Sequence, residues 1–290
     1  LSKPSFTEYA LLIFLACIWG FSFFFIKKGL LAFTPYQVGA LRIFLSFISI
    51  LPVWFFVREK IPREMIIPAI WMAMLGSGFP PFLFAVAESK ISSALAGVLN
   101  SLTPLFVVGS GMFFFGSFIN RRKAIGILLG FLGAVLVALT RADGSFEFNF
   151  YYAFLIVLAT ICYGFNANII RKYGPGLSSL ALTALIFTII GPPAGIYLLM
   201  SDTYQRFHSS PFGWQSLGYL MILSWVGTAL ALVLFTILVK RTSALFASLT
   251  TYLIPIVAVI VGLLDGEHIG LYHIGGMVLI LGGVFMTNKI

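Results

Sequence analysis

The sequence predicts an all-α membrane protein, with ten transmembrane helices arranged as two inverted five-helix repeats. Three observations predict it. Of the 290 residues, 60% are hydrophobic and 9% charged. Soluble domains carry about 25% charged residues, so this chain has too few polar groups to cover a surface facing water. The apolar residues fall into runs of about 20, the length of helix that crosses a ~30 Å hydrocarbon core. Stretches of the first half also recur, in order, in the second half at offsets of 144 and 150 residues.

Charged and Gly/Pro-rich breaks delimit the helices. Helix 1 is expected over 9–26, and its LLIFLACIWGFSFFFI carries Trp19 and Ser22 but no acid. Helix 2 (35–57) holds Arg42, about seven residues or ~10 Å from its nearer end. Helix 3 (65–87) contains GSGF followed by Pro80 and Pro81, an expected hinge. Helix 4 (92–116) interrupts SALAGVLNSLTPLFVV with Asn100, Ser101, Thr103 and Pro104. Helix 5 (124–140) carries Gly126, Gly130 and Gly133, which suit close helix packing. Helix 6 (150–170) brings Tyr163 and Asn166. Helix 7 (178–200) contains Pro192 and Pro193, a second possible kink in a helix expected at the periphery. Helix 8 (216–238) carries Trp225 and Thr228, and helix 9 (243–264) carries Thr250, Thr251, Tyr252 and Pro255. Helix 10 (270–287) has the glycines Gly275, Gly276, Gly282 and Gly283. The longest connection, around 201–215, reads as a loop. Trp71 and Trp214 fit an interfacial belt. Cys17 and Cys162 lie inside apolar runs and read as small packing residues.

The charge bias orients the bundle. One side collects Lys3, Arg58, Lys60, Arg63, Arg121, Arg122, Lys123, Arg171, Lys172, Lys240, Arg241 and Lys289, which is twelve. The other has Lys27, Lys28, Lys90, Arg141 and Arg206, which is five. Both termini are therefore expected in the cytoplasm, as an even number of spans requires. The opening LSKPSFTEY has neither a basic n-region nor an A-x-A site, so no secretory signal peptide is expected. The net charge of +9 reflects this topology and does not point to nucleic acid.

KISSALAGVL (90–99) matches KRTSALFASL (240–249), and one residue of slippage sets Pro104 opposite Pro255. IWGFSFFFIKKG (18–29) matches CYGFNANIIRKY (162–173), and GFLGAVL (130–136) matches LILGGVF (279–285). Helices 1, 4 and 5 thus correspond to helices 6, 9 and 10, with repeats over 1–145 and 146–290. An odd number of spans per repeat turns the second upside down relative to the first. Such inverted repeats are characteristic of secondary transporters, which exchange the shapes of their halves. Polar residues and prolines recurring mid-membrane are tolerated where protein or a wet cavity covers them. The other reading of each is helix–helix glue.

On these residues the sequence resembles the drug/metabolite transporter superfamily, specifically the ten-helix EamA-type exporters that include bacterial aromatic amino acid exporters. The resemblance covers nearly the whole chain. It rests on Trp19-Gly20 with Tyr163-Gly164, Arg42, the K-x-x-SAL starts of helices 4 and 9, Pro104 and Pro255, and Gly266-Glu267. Two departures stand out: Ser117 replaces the first-half Glu of the Gly-Glu pair, and Tyr163 replaces a second Trp. The resemblance implies a substrate path between helices 1, 3, 4 and 6, 8, 9, and export of amino acids or related metabolites across a bacterial inner membrane.

The candidate cavity residues are Trp19, Ser22, Phe79, Asn100, Ser101, Thr103, Tyr163, Asn166, Trp225, Thr228, Thr251 and Tyr252. Pro80, Pro81, Pro104, Pro255 and Arg42 are the candidate hinges and gates. Arg42 can snorkel or bond to a neighbouring helix, or it can gate the path or contact a substrate carboxylate. None of the nine acids is expected mid-span, so a facilitator of a neutral or zwitterionic metabolite is expected rather than a proton-coupled exporter of drugs. Phosphorylated substrates call for several Arg or Lys. A channel or a scaffold is the alternative from another class. The histidines His208, His268 and His273 fall in or beside loops, and no nucleophile–base or metal set occurs within spans, so neither an enzyme nor a cofactor is expected. The expected partners are a small molecule and the bilayer, with the chain acting as a monomer.

Overall fold

The computed structural model of the chain describes residues 5–56, 61–116, 121–139, 150–268 and 270–288. Regular structure among them is entirely helical, in ten long segments: Phe6–Gly29, Pro35–Phe56, Arg63–Glu88, Ser93–Phe115, Arg121–Leu139, Phe150–Tyr173, Ser179–Met200, Gly213–Arg241, Ala244–Leu264 and Leu271–Asn288. These are helices 1 to 10. Eight of them combine the length and apolarity of a membrane span among the described residues, and a shorter apolar stretch, Ile274–Gly283, lies in helix 10. The protein is a multi-pass membrane protein. Large side chains such as Phe113, Leu199, Met200 and Leu264 are turned outward, where lipid rather than water is their solvent. One segment read as loop is ordered: Thr203–Ser209 is a short surface helix, where Arg206 pairs with Asp202 at 2.7 Å.

The inverted repeat is visible in the packing. Helix 1 crosses helix 9, and helix 6 crosses helix 4. A Cβ on Gly20 would overlap Val257, and a Cβ on the corresponding Gly164 would overlap the backbone of Phe106. Equivalent glycines therefore bring equivalent helices into close approach. Helices 5 and 10 pack on each other through Gly133 and Gly283, in the same manner. Helix 4 ends on Gly116 at φ 70°, and helix 9 ends on Gly266 at φ 86°. Both are left-handed caps that a residue with a Cβ adopts only at a cost. Ser92 and Ser243 open the same two helices as N-caps, accepting from the amides of Leu95 (3.2 Å) and Phe246 (3.0 Å).

Four helices are interrupted, again in matched pairs. Helix 3 widens into a π-turn over Ala73–Gly78, where the Phe79 amide reaches back five residues to the Met74 carbonyl. Helix 8 does the same over Trp225–Leu230, with the Ala231 amide on Val226. Helix 4 breaks at Ser101–Leu102 and resumes at Thr103, and helix 9 breaks at Leu249 and resumes at Thr250. Pro80 and Pro81 open the segment after the π-turn, and Pro104 sits at the start of the second segment of helix 4. A missing amide hydrogen costs least at those positions. Helix 7, by contrast, runs unbroken through Pro192 and Pro193, whose rings face outward.

Candidate functional site

The four interruptions meet around one cavity of about 110 Å³. That is several times the ~10–15 Å³ needed to hold one water, so the space suits a small metabolite. Each interruption contributes to the wall: Gly76 and Ser77 from helix 3, Asn100 and Thr103 from helix 4, Gly227 and Thr228 from helix 8, Ser248 and Thr251 from helix 9. Helix 1 adds Trp19 and Ser22, helix 6 adds Tyr163 and Asn166, and helix 2 adds Arg42. Phe23, Phe84 and Phe235 complete the aromatic part of the lining.

The polar groups of the wall divide by what already holds them. Trp19 Nε1 donates to the Gly227 carbonyl at 3.1 Å, tying helix 1 to the π-turn of helix 8. Ser22 donates to Ile18 (3.1 Å), Thr103 to Asn100 (2.8 Å), Thr251 to Ser248 (2.8 Å) and Thr228 to Leu223 (2.9 Å), all at backbone carbonyls. These hydroxyl protons are committed within their own helices, and the oxygens keep lone pairs for accepting. The carbonyl that Pro104 leaves without its usual amide partner, that of Asn100, is thus taken up by Thr103 and not offered to a ligand. Asn100 and Asn166 differ: both Oδ1 atoms are buried without a hydrogen-bond partner among the described residues.

Arg42 does not snorkel to the membrane surface. Its side chain is 8% exposed, and its Nε donates to Thr228 Oγ1 at 2.8 Å. Among the described residues no carboxylate stands within ion-pair distance of it. The sequence reading, with its span over 65–87, leaves Glu88 outside the membrane-spanning run. In the structure it is the last residue of helix 3, 1% exposed, with neither oxygen hydrogen-bonded among the described residues. Helices 1, 2, 4 and 6 pack against the segment Phe79–Glu88 that it ends.

Three expected cavity residues are placed elsewhere. Phe79 and Trp225 are 48% and 44% exposed and point outward. Phe79 follows the π-turn of helix 3 and Trp225 opens that of helix 8, where the extra residue in the turn rotates the face that a regular helix would present. Ser101 is fully enclosed in protein and donates to the Val98 carbonyl at 2.6 Å, because one residue beyond Asn100 the helix has turned by ~100°. Only the backbone of Tyr252 is among the described positions. Pro80, Pro81, Pro104 and Pro255 are buried; the first three lie beside the breaks, whereas Pro255 sits inside the segment Thr250–Leu264. The lining residues that sequence reasoning passes over are chiefly Gly76, Ser77, Phe84, Gly227, Phe235 and Ser248. The GSGF run in helix 3 was the one available signal for them.

The face opposite the termini is latched. Lys28 pairs with Asp265 at 2.5 Å, and Lys27 lies 3.7 Å from Glu267. Glu267 in turn accepts from the Ser93 amide (2.9 Å), the Ser93 hydroxyl (2.8 Å) and the Ala94 amide (3.0 Å) at the start of helix 4. At the terminal face the equivalent of Lys28 is Lys172, and it lies 5.9 Å over the ring of Phe115, the equivalent of Asp265. Ser117, the equivalent of Glu267, lies outside the described residues.

The model of the EamA-like transporter family matches residues 7–139 and again 150–289. An uncharacterized transporter of Archaeoglobus fulgidus is 22% identical, over 93% of this chain and 95% of that protein. The uncharacterized inner membrane transporter YedA of Escherichia coli K12 is 25% identical, over 86% and 80%. A probable amino-acid metabolite efflux pump of Escherichia coli K12 is 24% identical, over 96% and 93%. A solved crystal structure superposes with a TM-score of 0.67 at 16% identity, over 98% of this chain and 97% of that one, which shows a shared fold.

Proposed function

Because the chain belongs to the EamA-like transporter family, we propose that it exports small neutral or zwitterionic metabolites, best exemplified by amino acids, by alternating access. The observation that carries this reading is the cavity at the meeting point of four helix breaks related by the inverted repeat. Irregular backbone at membrane depth is stable where it lines such a cavity, and breaks of this kind form the substrate sites of transporters built from inverted repeats. The name of the Escherichia coli relative, an amino-acid metabolite efflux pump, supports the substrate class. The protein acts as a monomer in a bacterial inner membrane with both termini in the cytoplasm, and it performs no covalent chemistry. Purified protein in proteoliposomes should give saturable counterflow of a labelled amino acid; linear, non-saturating flux would mean a channel, and none at all a scaffold.

The transport mode proposed is facilitation, since no acid lines the described wall of the cavity. Glu88 favours a second reading, proton-coupled export, because it is a buried carboxylate without a partner among the described residues. An imposed pH gradient decides: uphill transport driven by that gradient alone, and lost in Glu88→Gln, establishes the second reading.

A further inference from the structure

Arg42 supplies the full positive charge among the described residues of the cavity wall, and no carboxylate stands in the wall with it. Thr228 holds its Nε, and among the described residues the two terminal nitrogens of the fork hold no hydrogen bond to protein. A guanidinium enclosed in this way, with no carboxylate within ion-pair distance among the described residues, is costly. A carboxylate docked on the fork offsets that cost through two parallel charge-assisted bonds. The same cavity contains two buried amide oxygens with no partner, on Asn100 and Asn166. Each asks for an N–H donor, and none is supplied among the described residues. The wall also carries two pairs of rings in contact, Trp19 with Phe235 at 5.3 Å and Phe84 with Tyr163 at 6.0 Å.

On the carrier reading above, we infer that the cavity recognises a zwitterion: its carboxylate on Arg42, its ammonium on the Asn100 and Asn166 oxygens, and an apolar or aromatic side chain against the rings of the wall. An amine without a carboxylate meets the bare guanidinium and is rejected by like-charge repulsion. The anion is brought by the substrate and not by the protein.

The test is counterflow in proteoliposomes of the full chain, with labelled phenylalanine and labelled leucine. The competitors are unlabelled phenylalanine, phenylpropionate, which keeps the carboxylate, and phenethylamine, which keeps the amine. Phenylalanine should compete best, and phenethylamine at least tenfold more weakly. Arg42→Gln should raise the KM for phenylalanine roughly ten- to hundredfold, the range of one charged hydrogen-bonding group, and Arg42→Lys should restore part of the loss. Exchange of labelled phenethylamine as fast as that of phenylalanine overturns the inference and leaves the carrier reading standing. Absence of counterflow with every compound overturns the carrier reading itself. Should Arg42→Gln fail to fold, the competitor series on the wild-type protein decides alone.

Discussion

Gly164 and Gly109 show how far one methyl group is read by its surroundings. A Cβ on Gly164 would run into the backbone of Phe106, whereas nothing lies within 4 Å of one on Gly109. Gly164→Ala is therefore expected to destabilise by about 1–3 kcal/mol through overpacking. Gly109→Ala, in the middle of a helix, should stabilise by roughly 0.4–1 kcal/mol through the unfolded chain. Thermal melts in detergent check both signs; a stabilised Gly164→Ala would contradict the close crossing of helices 4 and 6. At this scale the sequence is readable where chemistry is conspicuous. Trp19, Asn100, Tyr163, Asn166 and Arg42 stand out because polarity inside an apolar run has few other reasons to exist. Phe84 and Phe235 do not stand out in a chain with 31 phenylalanines. Gly76 and Gly227 line the cavity by what they lack, so no side chain announces them.

Helix ends carry the difference between the two faces. The latch joins helix 1 of the first repeat to the connection after helix 9 of the second through Lys28–Asp265 and Glu267. A partly buried ion pair, together with a carboxylate at a helix N-terminus, contributes on the order of 2 kcal/mol, or roughly thirtyfold in a two-state population. The equivalent contact at the terminal face is Lys172 over Phe115, and the pair that joins the repeats there, Arg241 with Glu8 at 3.8 Å, is long and exposed on the arginine, so the resting protein is expected to favour closure of the latched face. The joint change Asp265→Asn and Glu267→Gln should speed labelling of a cysteine at Ser22 from that face, in a background lacking Cys17 and Cys162. Phe115→Asp, which gives Lys172 a partner, should slow labelling from the opposite side. Equal rates in all three proteins would sink this account of the bias. The sequence exposes the pieces of the latch, since Gly266-Glu267 has no acidic counterpart at Ser117. It does not expose the π-turns, because no local propensity distinguishes a five-residue hydrogen bond from a four-residue one. Packing around the cavity sets that register, which is why Phe79 and Trp225 turn outward.

The whole molecule is the most legible of the three scales. Apolar run length gives the spans, the charge bias gives their expected orientation, and the repeated segments give the inversion, because each depends on many residues at once. The central claim is that the two repeats enclose a single cavity opened to one face at a time. A cysteine at Ser22, in a background lacking Cys17 and Cys162, probed with a membrane-impermeant maleimide from each face in oriented vesicles and read at that residue by peptide mapping, tests it when combined with a disulfide between Lys28→Cys and Asp265→Cys. The account predicts labelling from either face when the disulfide is reduced. Oxidised, the protein should be labelled from the terminal face only and should have lost counterflow. Labelling from both faces with the disulfide closed, or from neither face when it is open, would contradict it.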